Sequence, residues 1–363
     1  MDQTMTLENN TPKYVLVEEH IRQAIKQKRV VDKLPGERNL AKELGFSYMT
    51  IRKAIDNLVN EGVLYKIPTK GTYVADPRTL KPKTKTVGYF LDSSIVAGLS
   101  SPYYSLIFDA FEKEATRHGY SLVYFSDQDG GTKLMNVLKK LDGVIASCFR
   151  RIEPVIQTIK EIVPVVVIDN SAADKTIPSV IIDNFSAQIE AVDCLCNLGH
   201  ERIGFMTGLE DSDVGRDRYE GYKSGLSKHG IDIDSALVYK GNYSFQSGVD
   251  GADYFLKLDN LPTAILCAND SMALGAMNRL HKAGLNVPDE ISIIGFDDID
   301  IASQIIPPLT TVSAPINEIA NRSFNMLESL IVGKTLENRH VALSAGLVIR
   351  GTCARLENKA VVA

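Results

Sequence analysis

From Val87 onward the chain alternates between short apolar runs and longer amphipathic stretches, and nothing else in it limits the fold so tightly. The apolar runs fall at 87–91, 122–125, 143–147, 164–168, 179–182, 202–207, 237–239, 264–268 and 291–296. Helical patterns lie between most of them, at 104–118, 185–198, 216–229, 246–258, 271–283 and 316–332. A strand buried on both faces reads as a continuous apolar run, and a helix must return the chain before the next parallel strand. The pattern predicts an α/β body of parallel sheets covered by helices. The stretch 87–363 is long for one such sheet, so two stacked subdomains are expected. A nucleotide-binding enzyme is the ordinary alternative, but no Gly-x-Gly-x-x-Gly follows a strand and no Gly-x-x-x-x-Gly-Lys-Ser/Thr appears.

Residues 1–75 follow different rules. Val17, Ile21, Ala24 and Ile25 form one apolar stripe on a helix over 14–28. A second helix is expected from Glu37 to Leu44, after Pro35-Gly36 and before Gly45, a residue suited to a left-handed stop. A third begins at Ser47, a natural N-cap, and buries Ile51, Ile55 and Leu58. Two helices separated by Gly45-Phe46 make a helix-turn-helix. Residues 62–67 and 72–74 flank Pro68-Thr69-Lys70-Gly71 as a two-stranded wing. The third helix would display Tyr48, Met49, Arg52 and Lys53, with Thr50 near its start. Such a face suits the DNA major groove, and Lys70 at the wing tip suits a phosphate or the minor groove. The same charges also fit the solvated face of a protein-binding winged helix.

The charge distribution follows this division. Residues 1–85 carry 16 Lys/Arg and 10 Asp/Glu, a net of +6, and the rest of the chain carries 24 and 35, a net of −11. A basic head on an acidic body points to a polyanion met by the head alone. Between them, residues 76–86 are polar, basic and twice interrupted by proline, as a semi-extended tether would be.

The head resembles a GntR-type winged helix. The resemblance rests on Leu34-Pro-Gly-Glu-Arg-Asn-Leu-Ala41, the run Ser47 to Leu58, Glu61-Gly-Val-Leu64 and Lys70-Gly-Thr-Tyr-Val74, in that order. It implies DNA contacts by Arg38 of the Pro-x-Glu-Arg motif, by Ser47, Tyr48, Met49, Thr50 and Arg52 of the recognition helix, and by the wing that carries Lys70 and Gly71, with Lys53 added from the exposed face of the helix. The chain departs from the family twice: Tyr48 stands where many members have Arg, and Thr69 replaces the first glycine of the wing.

In the body, polar residues cluster where strands end: Asp169-Asn170, Asn269-Asp270 and Asp297-Asp298. Ligands of parallel α/β sheets bind there, although such residues also cap the following helix, the role expected of Asp270. Ala268-Asn-Asp-Ser-Met-Ala-Leu-Gly-Ala-Met277, Leu198-Gly-His-Glu-Arg-Ile-Gly204, Val287 to Asp298 and Pro307-Pro-Leu-Thr-Thr-Val312 resemble the LacI/GalR repressors. The resemblance implies a type I periplasmic-binding-protein fold over 87–363, with an effector cleft between two halves. The matching pocket residues are Arg218, three residues before Gly221-Tyr222, with Asn269 and Asp297. Tyr243 and the pair Tyr103-Tyr104 fall where the family places cleft aromatics, and Asp169 is a further candidate. Carboxylates and an arginine suit a sugar or similar polyol.

The LacI-type head and hinge helix are missing, and the combination of modules resembles arabinose repressors of the AraR kind. The expected protein is a cytoplasmic repressor, a homodimer on double-stranded operator DNA, controlled by a sugar such as a pentose or by a nucleoside. No cofactor or metal is expected, and no membrane partner: the chain has no membrane-length apolar segment and no apolar signal core in its first 20 residues. Cysteines 148, 194, 196, 267 and 353 read as reduced core thiols, and His200 as structural. A GntR-headed enzyme acting on a sugar is the rival of a different class, but no Gly-x-Ser-x-Gly elbow or His-based metal motif supports it.

Overall fold

The computed structural model describes residues 12–356 except 28, 61–62, 68–69, 75–83, 94, 96, 128–130, 148–152 and 210. Thr69, Cys148 and the tether as far as residue 83 lie outside the described residues. The chain divides into two compact units, the first running through Thr84 and the second starting at Lys85.

Three helices build the first unit: α1 (Lys13–Lys26), α2 (Glu37–Leu44) and α3 (Tyr48–Asn60). Gly45 ends α2 at φ +69°, a left-handed conformation that glycine adopts without strain. The Ser47 hydroxyl accepts from the Thr50 amide at 3.2 Å, the expected cap of α3. Val17 and Ile21 of α1, Leu40 of α2 and Ile51, Ile55 and Leu58 of α3 share one core. Strands β1 (Leu64–Ile67) and β2 (Gly71–Val74) pair antiparallel, Leu64 opposite Val74, as the expected wing. Lys33 adds a bridge to Tyr73 that ties the wing to the approach to α2.

The second unit has two lobes. In chain order the first contains β3 (Thr86–Leu91), α4 (Pro102–Arg117), β4 (Ser121–Phe125), α5 (Gly131–Leu138), β5 (Gly143–Ser147), α6 (Glu153–Ile162), β6 (Val165–Ile168) and β7 (Ser179–Ile182). The second contains α7 (Asn184–Asn197), β8 (Ile203–Met206), α8 (Asp213–Lys228), β9 (Val238–Tyr239), α9 (Phe245–Phe255), β10 (Ala264–Cys267), α10 (Asp270–Lys282), β11 (Ser292–Asp297) and β12 (Thr310–Ser313). After α11 (Ile316–Ile331), β13 (His340–Leu343) joins the first sheet and β14 (Gly346–Val348) the second. The sheet orders are β13-β7-β6-β5-β3-β4 and β14-β12-β11-β10-β8-β9. The chain therefore passes between lobes after β7, after β12 and after β13.

The expected parallel sheets are present, with one exception. Strand β14 runs antiparallel to β12, Gly346 opposite Ser313. Only Ser344-Ala345 separates it from β13, so no helix turns the chain before it enters the second sheet. Strands β12 (Thr-Thr-Val-Ser) and β13 (His-Val-Ala-Leu) mix polar with apolar residues and β14 has three residues, so none forms a continuous apolar run, and helices α5 and α6 are likewise additions to the sequence pattern. Central strands are buried on both faces, since neighbours that point to opposite sides are equally buried: Val144 and Ile145, Val166 and Val167 in the first lobe, Ile265 and Leu266, Ile293 and Ile294 in the second. Among the described cysteines, the expected core thiol is Cys267 alone. Cys194 and Cys196 are half-buried, because Val192 and Leu195 take the inward positions of α7. His200 is buried between the Thr263 hydroxyl, 3.0 Å away, and the Ala354 carbonyl, 3.1 Å away, a structural role. Among the described residues no helix is long and apolar enough to cross a membrane, and no group of three or more His, Cys, Asp or Glu could hold a metal.

Candidate functional site

The strand ends converge on a cavity of about 600 Å³ between the two lobes. Tyr103, Tyr104 and Asp169 line it from the first lobe, and Arg218, Tyr243, Asn269 and Asp297 from the second. The rest of its wall is largely apolar, with Ile95, Ile182, Leu209 and Val214. Asn184, where the chain first crosses between lobes, also lines it. It stands one residue after Asp183 at the end of β7, the same strand-end pattern as the other pocket residues, and that signal would have found it.

Backbone strain marks the same place. Among the described residues, five non-glycine residues have positive φ, and four lie at the cleft or directly behind it: Asp169 (67°), Tyr243 (66°), Asp297 (112°) and Asp298 (60°). Each such residue costs on the order of 1–3 kcal/mol and persists only where its surroundings hold it.

Arg218 is buried on α8 and engaged on every side. Its Nε donates to Asn184 Oδ1 at 2.8 Å, and Nη1 donates to the Ala268 carbonyl. Its Nη2 lies 3.7 Å from Asp297 Oδ1, and the guanidinium stacks 3.4 Å from the Phe296 ring centroid. Asp169 accepts from the Tyr103 hydroxyl at 2.8 Å and from Ser147 Oγ. Burial raises the Asp169 carboxyl above its ordinary range even against these bonds. Burial also holds Asp297 well above that range; Arg218 pulls it down, while Asp270 and Asp169 push it further up. Asn269 caps α10 by accepting from the Met272 amide at 3.0 Å, and its Nδ2 donates to the Tyr243 carbonyl at 3.0 Å.

The structure corrects the role of Asp270. Asn269, in extended conformation at φ −154°, occupies the cap position, and Asp270 is the first residue of the helix, fully buried. Its carboxylate accepts from the Ile299 amide at 2.9 Å and from Thr311 Oγ1 at 2.5 Å. A β-carbon at position 295 would collide with that carboxylate, so Gly295 is what lets it approach β11. Arg350 holds the other side of the turn, with Nη2 2.6 Å from Asp298 Oδ1 and Nη1 2.9 Å from the Leu309 carbonyl. Asp270 and Arg350 thus brace the strained Asp297-Asp298 pair from behind. Sequence reasoning missed Arg350, because it lies outside the motif that contains its partner.

In the head, Arg38, Ser47, Tyr48, Met49, Arg52, Lys53, Lys70 and Gly71 are all exposed, and Thr50 is half-buried beneath Ser47, whose hydroxyl lies 2.8 Å from its own. Arg52 leans toward Asp56 at 4.0 Å, and the Lys53 ammonium lies 4.2 Å from the centre of the Tyr14 ring. Lys33 approaches Gly71 and lies 5.4 Å from the Tyr73 ring centre, a further cation beside the wing.

Comparison with known proteins matches residues 13–74 to the bacterial regulatory proteins of the gntR family, and residues 192–353 to the periplasmic binding protein-like domain. The HTH-type transcriptional repressor CytR of Escherichia coli is 33% identical over 269 residues, 72% of this chain and 79% of CytR. The chain belongs to the HTH-type transcriptional repressors. The probable HTH-type transcriptional repressor ExuR of Bacillus subtilis is 30% identical over 329 residues, 88% of this chain and 98% of ExuR. The crystal structure of a sugar-binding transcriptional regulator of the LacI family from Escherichia coli, complexed with phosphate, is 27% identical with a TM-score of 0.61, covering 75% of this chain and 99% of that one. This repressor therefore joins a GntR head to a LacI-type effector-binding body, and it is a ligand-responsive DNA-binding protein rather than an enzyme.

Proposed function

We propose that this repressor is controlled by a neutral polyhydroxylated molecule, a sugar such as a pentose or a nucleoside, bound between the lobes of its body. One observation carries the proposal. The cavity presents two carboxylates and one arginine, and that arginine is already engaged by Asn184, Ala268 and Asp297. The one cation among the described lining residues is thus already committed, and burial favours the uncharged forms of Asp169 and Asp297, so nothing there is left to balance the charge of an anionic ligand. Hydroxyl groups, in contrast, can donate to Asp169 and Asp297 while tyrosines and aliphatic side chains cover the apolar faces. The sugar-binding regulator of similar fold supports this class of ligand.

A pentose fills only part of a cavity of this size, and a nucleoside fills more of it while offering both a diol and a flat apolar face. Ligand contacts are assigned to Tyr103, Tyr104, Asp169, Arg218, Tyr243, Asn269 and Asp297. DNA contacts are assigned to Arg38, Ser47, Tyr48, Met49, Thr50, Arg52, Lys53, Lys70 and Gly71. Two copies, joined through their bodies in the cytoplasm, would present two heads to a pseudo-palindromic operator. Closure of the cleft on its ligand would rotate one lobe against the other and alter head spacing. A coupling of 1–3 kcal/mol suffices for a 5–150-fold change in operator affinity.

A thermal-shift screen of neutral pentoses, hexoses and nucleosides against uronates and sugar phosphates tests the reading. A ligand that binds the folded state raises stability by RT ln(1 + [L]/Kd). Stabilisation by neutral polyols, and a change in operator affinity by the same compounds, is the expected result. Stabilisation by the anionic set alone would overturn it.

A further inference from the structure

The first turn of α3 carries two large apolar side chains on a surface that has no use for them in packing. Met49 is 68% exposed and Tyr48 is 40% exposed. The core-facing stripe of the helix is already complete with Ile51, Ala54, Ile55 and Leu58, all essentially buried. Leaving a side chain of this size in water forgoes about 1.5–3 kcal/mol of burial, so two of them side by side at the start of a basic head's helix offer apolar surface to a partner. Two of the polar residues around them are engaged within the protein: Ser47 caps the helix and Lys53 lies over Tyr14. The apolar pair therefore dominates what the start of α3 presents.

In the major groove a base edge offers one apolar group, the C5 methyl of thymine. We propose that Met49 and Tyr48 read thymine methyl groups, so that the site under each head carries thymine at the base pairs facing the first turn of α3. The proposal rests on α3 being the helix that enters the groove. It assigns the departure at position 48 a specific consequence: an aromatic ring there exchanges a guanine-reading charge for a methyl-reading surface. Arg52, one turn further along, remains free to leave Asp56 for a guanine edge or a phosphate, because a 4.0 Å contact between exposed groups is weak.

The test uses the full-length chain and a randomised duplex pool. Bound duplexes are selected, and the selected sequence is remade with deoxyuridine replacing each thymidine in turn. Uracil keeps every hydrogen-bonding atom of thymine and lacks only the methyl. At one or two positions per head, affinity should fall about three- to fourfold, the factor carried by burial of one methyl-sized group. In Met49→Ala or Tyr48→Ala the penalty at the matching position should vanish. Both side chains are exposed, so both variants should melt like the parent. Equal affinity for thymine and uracil at every position would overturn the proposal, as would a penalty that persists unchanged in both variants. Arg52→Ala separates the two levels of the reading. If it weakens binding while uracil is silent, the methyl proposal alone falls. If it leaves the selected duplex bound as before and uracil is silent at every position, α3 is not the reading helix and both fall.

Discussion

Asp270→Asn should flatten the pH dependence of the body's stability. The buried carboxyl of Asp270 titrates at about 7, against an ordinary value of 3.8, and burial is the main cause. A folded-state value above the unfolded one means that the folded chain holds the proton between the two. The stability this contributes is complete below about pH 4 and is lost as pH rises through about 7. At about 1.36 kcal/mol per pH unit of differential protonation, the loss between pH 5 and pH 8 is about 2–3 kcal/mol. Asparagine can keep both contacts, its oxygen accepting from the Ile299 amide and its nitrogen donating to Thr311 Oγ1. Asp297, raised in part by the Asp270 charge, would move down in the variant and add to the effect in the same direction. The chain has no tryptophan, so urea unfolding is best followed by far-ultraviolet circular dichroism at pH 5, 6, 7 and 8. The parent should lose stability relative to Asp270→Asn by about 2–3 kcal/mol over that range. Unfolding free energies that stay parallel from pH 5 to pH 8 would refute the reasoning.

Three further outcomes follow from the same geometry. Arg218→Ala removes the cation beside buried Asp297, so the body should lose about 3–5 kcal/mol; operator binding should persist and effector response disappear, and a variant that still responds would displace Arg218 from the site. Gly295→Ala sets a methyl against the Asp270 carboxylate and the Leu309 side chain, with an expected cost of about 1–3 kcal/mol in urea unfolding. Tyr103→Phe removes the hydroxyl that donates to Asp169 and should raise that carboxyl further, shifting the pH profile of effector affinity upward; an unchanged profile in a calorimetric titration would take Tyr103 out of the proton-linked part of the site.

Much of the architecture is written in local signals. Gly45 and Ser47 bound the turn of the head because glycine adopts the left-handed stop without strain and a hydroxyl caps the next helix. The apolar runs of the body mark strands covered on both faces. Polar residues after those runs mark the cleft, because a strand's carboxyl end is where a parallel sheet opens to solvent. What the sequence does not show is which of those polar residues faces the ligand. Asn269 and Asp270 are neighbours of similar polarity, and only the extended backbone at 269 makes one the cap and cleft residue and the other a buried brace. Arg350 reaches Asp298 from 52 positions away, and Asn184 reaches Arg218 from 34. Local periodicity determined the elements, because helix and strand spacing depend on near neighbours. Tertiary structure decided the site, because desolvation, backbone strain and the pairing of Arg218 arise only when distant strand ends are buried together.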